Sequence, residues 1–319
     1  SLDEQFEFLK NKYVPVKNNH LMFTNFMILL STYYNNPNLL WFEKIFTPGS
    51  MCTRGNLMAV LDAAANGTAG NTTPTIADLE ALGFEGVTEA MLPTLQDAIA
   101  ATAADGTGVD TIEDLTLVVG PIVEAMAAIA AFDGSQDPLA DTVYADAGVT
   151  GVTGADVVAA MNNAVAAAAS ADSDSLAEMQ AIADAVVSVQ TLAVSGDPEA
   201  TAAAAEPSVA TLELLGVEGL SADTLLGMQN AIAQTPDGAA VDTLAELQAL
   251  ADAVIGVHAG ATGTAGEPTQ ADLELLGVTD LDEATFSTVQ AAIAATGDGT
   301  AVDSLLELQT IADDATGAP

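Results

Sequence analysis

Beyond residue 54 this sequence contains no lysine and no arginine: Lys10, Lys12, Lys17, Lys44 and Arg54 are all the basic residues it has. Residues 55–319 carry 41 of the 45 acids, and the formal net charge is −40. Binding phosphates requires cations that displace condensed counterions, so nucleic acid is excluded as a partner, and anionic membrane surfaces are disfavoured. Cysteine is almost missing. Cys52 is alone, which rules out an intramolecular disulfide, and with no histidine or metal partner nearby it reads as an incidental thiol. Histidine occurs only at positions 20 and 258, in different segments, and no phosphate loop, nucleophile elbow or zinc motif appears. Aromatics are scarce as well: ten of the fourteen precede residue 55. Two segments of different origin or job therefore meet near residues 48–54.

Long apolar runs are also wanting. Leu21–Tyr34 is strongly apolar, but Asn25 and the stretch Asn35-Asn36-Pro37-Asn38 interrupt it. A membrane helix needs about 20 predominantly apolar residues, so no span is assigned, and no small-residue cleavage site marks a signal peptide. Residues 1–54 read in two ways. One is a small helical cap or an added fusion segment, with Gly49-Ser50-Met51 resembling a cloning scar. The other is an interaction patch built from Phe23, Phe26, Tyr33, Tyr34, Trp41 and Phe42, since tyrosine and tryptophan are enriched in such anchors.

What is present is a repeat. Half of the chain is apolar, which sets it apart from acidic disordered chains. Four copies begin at or near Pro74, Pro138, Pro207 and Pro268. Their loop glycines, Gly83, Gly148, Gly216 and Gly277, are spaced by 65, 68 and 61 residues. The dipeptides Asp110-Thr111, Asp174-Ser175, Asp242-Thr243 and Asp303-Ser304 are spaced by 64, 68 and 61. The two landmarks move together, as in a tandem array. The resulting organisation is an N-terminal segment 1–54, a partial repeat with linker 55–73, and repeats 74–137, 138–206, 207–267 and 268–319.

Each copy reads as three helices. A short first helix, as in 75–82 or 269–276, stops at Leu-Gly, where glycine supplies the left-handed cap. A second helix opens after Thr88, Thr153, Ser221 or Asp282, all good N-caps. Its apolar stripe runs Leu92, Leu95, Ile99 in the first copy and Phe286, Val289, Ile293 in the fourth, steps of three and four that share one face. The third helix opens with a capping box: Thr111–Asp114, Ser175–Glu178, Thr243–Glu246 and Ser304–Glu307. Hydroxyl and carboxylate there each accept a hydrogen bond from a backbone N–H that has no helical partner. The fold class expected is all-α: tandem three-helix modules of about 61–68 residues, stacked as an α-solenoid or rod. Alanine-rich faces bury little area, at roughly 25 cal/mol per Å², so a module should depend on its neighbours.

The phrases GVTGVT, LGVEGLSADTLLGMQNAIA and VDTLAELQALADAV resemble tandem repeats of very large secreted surface proteins of Gram-negative bacteria. The order of short helix, Leu-Gly-Val and two capped helices is similar to the albumin-binding GA module. The resemblance covers 55–319 and implies a secreted or cell-surface spacer of adhesin-like kind. The basic and aromatic contact residues of the GA pattern have no counterparts here, so albumin binding does not carry over.

Many carboxylates raise the question of calcium. The loops DGTGVD (105–110), SADSD (170–174), DGAAVD (237–242) and DGTAVD (298–303) lack the alternating ligands and the twelfth-position glutamate of an EF-hand. Asp237, Asp242 and Glu246 form the one weak calcium candidate, and capping accounts for the same residues. Beyond weak, diffuse binding of calcium or other cations no cofactor is expected. No catalytic residue is predicted either. Carboxylate pairs of the glycosidase kind would break the regularity once, whereas the acids recur in register. His258 reads as drift at a frayed helix end, and the Gly/Thr-rich stretch 259–267 as a linker. The expected function is a non-catalytic extracellular stalk or spacer. The alternative is a self-assembling filament or surface-layer subunit whose N-terminal segment makes the subunit contact. Partners expected are a second copy of the chain or a cell-surface protein.

Overall fold

The computed structural model describes residues 59–61, 63–64, 73–102, 108–109, 111–168, 173–195, 206–235, 237–264 and 266–317. The aromatic set Phe23, Phe26, Tyr33, Tyr34, Trp41 and Phe42, and Cys52, lie outside them. Every regular element among the described residues is helical.

The helices follow one another as α1 (Ile76–Ala81), α2 (Leu92–Ala100), α3 (Ile112–Ala130), α4 (Asp141–Asp146), α5 (Ala155–Ala167) and α6 (Leu176–Ser195). Then come α7 (Val209–Leu214), α8 (Leu225–Ala233), the 3-10 turn η1 (Gly238–Val241) and α9 (Leu244–Thr262). The last are α10 (Gln270–Leu275), α11 (Glu283–Thr296), η2 (Gly299–Ala301) and α12 (Leu305–Thr316). A six-residue helix thus opens each group of three, at α1, α4, α7 and α10.

The short helices start and stop where local chemistry dictates. Thr75, Ser208 and Thr269 accept hydrogen bonds from the backbone N–H groups of Asp78, Thr211 and Asp272. Helix α4 has alanine at this place, Ala140, and no side-chain cap. All four stop at a glycine of positive φ, Gly83 at +102° and Gly148, Gly216 and Gly277 at +91°. The chain then folds back, so that Phe84, Val149, Val217 and Val278 donate to the carbonyls of Leu79, Tyr144, Leu212 and Leu273. Those four acceptors carry fully buried side chains.

The third helices begin as expected. Thr111, Thr243 and Ser304 accept from the N–H groups of Asp114, Glu246 and Glu307, and Ser175 accepts from Glu178 at 3.3 Å. The second helices correct the expectation in three copies. Only Asp282 caps its helix, accepting from Ala284 and Thr285. Thr88 and Ser221 instead open a separate turn, and helices α2 and α8 start only after it, from Met91 and Thr224. Helix α5 starts from Gly154, held at φ +88°. In the first copy Pro93 occupies the first turn of α2, where its missing N–H costs nothing.

One buried apolar cluster runs from Val60 to Ala312, and alanines such as Ala63, Ala183, Ala251 and Ala253 supply much of it. The expected stripes of the second helices lie in it, with Leu95 and Ile99, and Val289 and Ile293, buried; Leu247, Leu250 and Val254 of α9 are buried as well. Leu92, Phe286, Leu244, Leu305 and Ile311 pack against its edge. Within the 55–73 segment residues 59–61 and 63–64 are helical, and Val60, Ala63 and Ala64 enter the same cluster. Helix α9 corrects the expected linker: it runs to Thr262 and ends on Gly263 at φ +68°. Among the described residues no helix is long and apolar enough to cross a membrane.

Candidate functional site

Glutamine ties each group of helices together internally. Gln96, Gln229 and Gln290 donate through Nε2 to the carbonyls of Pro74, Pro207 and Pro268, each 22 residues earlier, at 2.8, 3.1 and 3.2 Å. In the second copy Asn162 replaces the glutamine and grips both the N–H and the carbonyl of Leu139 at 3.0 Å. The Tyr144 hydroxyl donates to the same Asn162 Oδ1 at 3.1 Å. On the third helices Gln180, Gln248 and Gln309 accept from the N–H groups of Thr150, Glu218 and Thr279, 30 residues earlier. These recurrent amides were missed in the sequence, although the constant spacing of 22 from proline to glutamine was there to be seen.

The feature that recurs between groups is the junction. Helix α6 packs on α8 and η1, and α9 packs on α10, α11 and η2. Asn163 on α5 donates to the carbonyl of Asp242, 79 residues away, at 2.9 Å. Asn230 on α8 makes the same bond to the carbonyl of Asp303, 73 residues away, at 2.9 Å. Matching glycines lie beneath the preceding long helix. A Cβ on Gly238 would fall 1.9 Å from Gln190 Oε1, and one on Gly299 would fall 2.2 Å from the His258 ring. Gln190 and His258 each lie 15 residues after their helix cap, Ser175 and Thr243. His258 is therefore no frayed-end drift: it sits inside α9 as a half-buried junction residue. Gln190 is 3 % exposed and donates to the Gly238 carbonyl at 3.0 Å, leaving its Oε1 buried without a hydrogen-bond partner. Gly256 and Gly260 of α9 admit Pro268: a Cβ on Gly260 would meet the proline Cδ at 2.9 Å.

Each junction encloses a small crevice. One is lined by Ala160, Gln190, Val241 and Asp242, the other by Asn230, Val257, Val302 and Asp303, and each has about 20 Å³ of room, the space of one water molecule.

The calcium candidate divides on inspection. Asp242 and Glu246 come together, but Asp237 is exposed at the start of η1. Glu246 is already engaged, accepting from the Thr243 N–H at 3.1 Å and its hydroxyl at 2.7 Å. Burial, and then the charge of Glu246, raises the Asp242 pKa. No group of three or more His, Cys, Asp or Glu among the described residues is placed to hold a metal ion. At the next junction Asp303 is pushed up to about 6, by burial first and then by Glu307 and Asp298.

Compared with protein-family models, curated proteins and solved structures, the chain matches none.

Proposed function

We propose that this chain is a non-catalytic spacer of tandem three-helix modules, an extracellular or cell-surface stalk that holds a binding element at a distance. The observation that carries the reading is the repeated junction. Asn163 with Asp242 and Asn230 with Asp303 make one hydrogen bond twice, and Gln190 over Gly238 and His258 over Gly299 make one steric fit twice. A joint used again with the same parts can be extended in series, which is how repeat arrays gain length. The net charge of −40 supports the same reading, because it keeps neighbouring chains apart in solution.

Small-angle scattering and negative-stain microscopy of the full chain test this. Dispersed, elongated particles are expected. A compact particle would sink the spacer reading. Filaments that disappear when residues 1–54 are removed would favour the other reading, a self-assembling subunit whose N-terminal segment makes the contact.

A further inference from the structure

We propose that the junction between α8–α9 and η2–α12 is a proton-operated joint that tightens on acidification. Asp303 lies at the centre of this junction. Its backbone carbonyl accepts the Asn230 bond across the junction at 2.9 Å, and its side chain is half-buried. Glu307, one turn along α12, folds its carboxylate back over the helix start, accepting from the Ser304 N–H at 3.1 Å and its hydroxyl at 2.8 Å. Asp298 stands on the same loop, held by Thr300. Helix α8 offers Asn230 and no titratable group, because Leu225–Ala233 reads LLGMQNAIA. Helix α9 offers His258, which lies on Gly299, while its acids Glu246 and Asp252 are engaged with Thr243 and Gln248; α11, which packs on α12, carries Glu283 in its first turn. The acids of α10 are engaged elsewhere, Asp272 with Thr269 and Glu274 with Gln270.

Asp303 therefore faces two carboxylates, and beyond residue 54 the sequence has no lysine or arginine to offset them. Their repulsion acts within η2–α12 whether or not the joint is docked; docking adds the burial of Asp303 against Asn230 and Gly227 of α8, which disfavours its charged form. A proton on Asp303 removes that repulsion and turns an acceptor pair into a donor and an acceptor, with the Asp303 O–H donating to Glu307. Docking and protonation then favour each other by linkage. The ordinary value of 3.8 rises to about 6 in the docked joint. A raised value means the stabilisation is complete below the ordinary value and is lost as pH rises through the docked one. Between about pH 7.5 and pH 5 this predicts at most about a tenfold gain in junction closure, and less after allowance for solvent screening at this partly exposed group.

Hydrogen exchange of the full chain, expressed as protection factors over 305–316, reads the joint directly. Protection in the unaltered chain should rise several-fold from pH 7.5 to pH 5. Asp303→Asn should abolish that rise and show higher protection than the unaltered chain at pH 7.5; Glu307→Gln should reduce the rise. Glu80→Gln removes one exposed charge on α1 and should leave the rise intact, which separates the joint from general relief of charge. His258→Gln installs the residue that the other junction carries, and should also leave it intact. A rise that survives in Asp303→Asn, or one that vanishes in His258→Gln or Glu80→Gln, overturns the proposal.

Discussion

At the scale of single residues, the chain stands on small polar contacts between helix groups. Asn230→Ala would strand the Asp303 carbonyl in the junction, and leaving such a group unpaired costs about 1–3 kcal/mol. A lower urea midpoint by circular dichroism is the expected result. Glycine substitutions should divide by position. In Gly238→Ala the new methyl meets Gln190 Oε1, whose side chain is buried and bound to the Gly238 carbonyl. Overpacking of this kind costs about 1–3 kcal/mol. Gly120→Ala lies inside α3, where the nearest atom to a new Cβ is Thr116 Cγ2 at 3.7 Å. It should stabilise by about 0.5–1 kcal/mol, and opposite shifts of the two urea midpoints would check the pair.

At the scale of elements, the starts of the third helices were legible, because a hydroxyl and a carboxylate three residues apart can close a capping box within one turn. The starts of α2, α5 and α8 were not, since a good capping residue can equally open a preceding turn. Thr88 and Ser221 do that. The distinction is measurable. Ser304 caps α12, so Ser304→Ala should cost about 1 kcal/mol. Thr153 is exposed and α5 starts at Gly154 without a side-chain cap, so Thr153→Ala should stay within about 0.5 kcal/mol. Equal losses in thermal unfolding would contradict the assignment of these starts.

At the scale of the whole molecule, charge sets the response to solution conditions. Hydrogen bonds from Ser135, Ser175, Thr285 and Thr300, with their backbone N–H groups, lower the pKa values of Asp133, Glu178, Asp282 and Asp298. A depressed value contributes stability that is present above the ordinary carboxylate range and is lost as pH falls through the depressed value. Asp303 acts in the opposite sense and in a higher window, between about 6 and its ordinary 3.8. The melting temperature is therefore expected to peak in mild acid and fall below about pH 4. With −40 of charge, added salt should raise the melting temperature at neutral pH, since the Debye length shrinks from about 30 Å at 0.01 M to about 8 Å at 0.15 M. A melting temperature that does not respond to salt would mean that self-repulsion is not a significant term.

Whatever is settled within a few residues along the chain could be read before any coordinates. The all-α class, the glycine stops at Gly83, Gly148, Gly216 and Gly277, the hydroxyl caps of the third helices and the buried stripes all follow from contacts one turn long. Which residues meet between groups emerges from packing alone. Asn230 finds Asp303 across 73 residues, and Gln190 finds Gly238 across 48. These pairings depend on the rotation that stacking imposes on successive groups, which no local rule encodes. The same stacking decided the chemistry. Asp303 is one aspartate among many in the sequence, and its raised proton affinity comes from being half-buried at a junction among like charges.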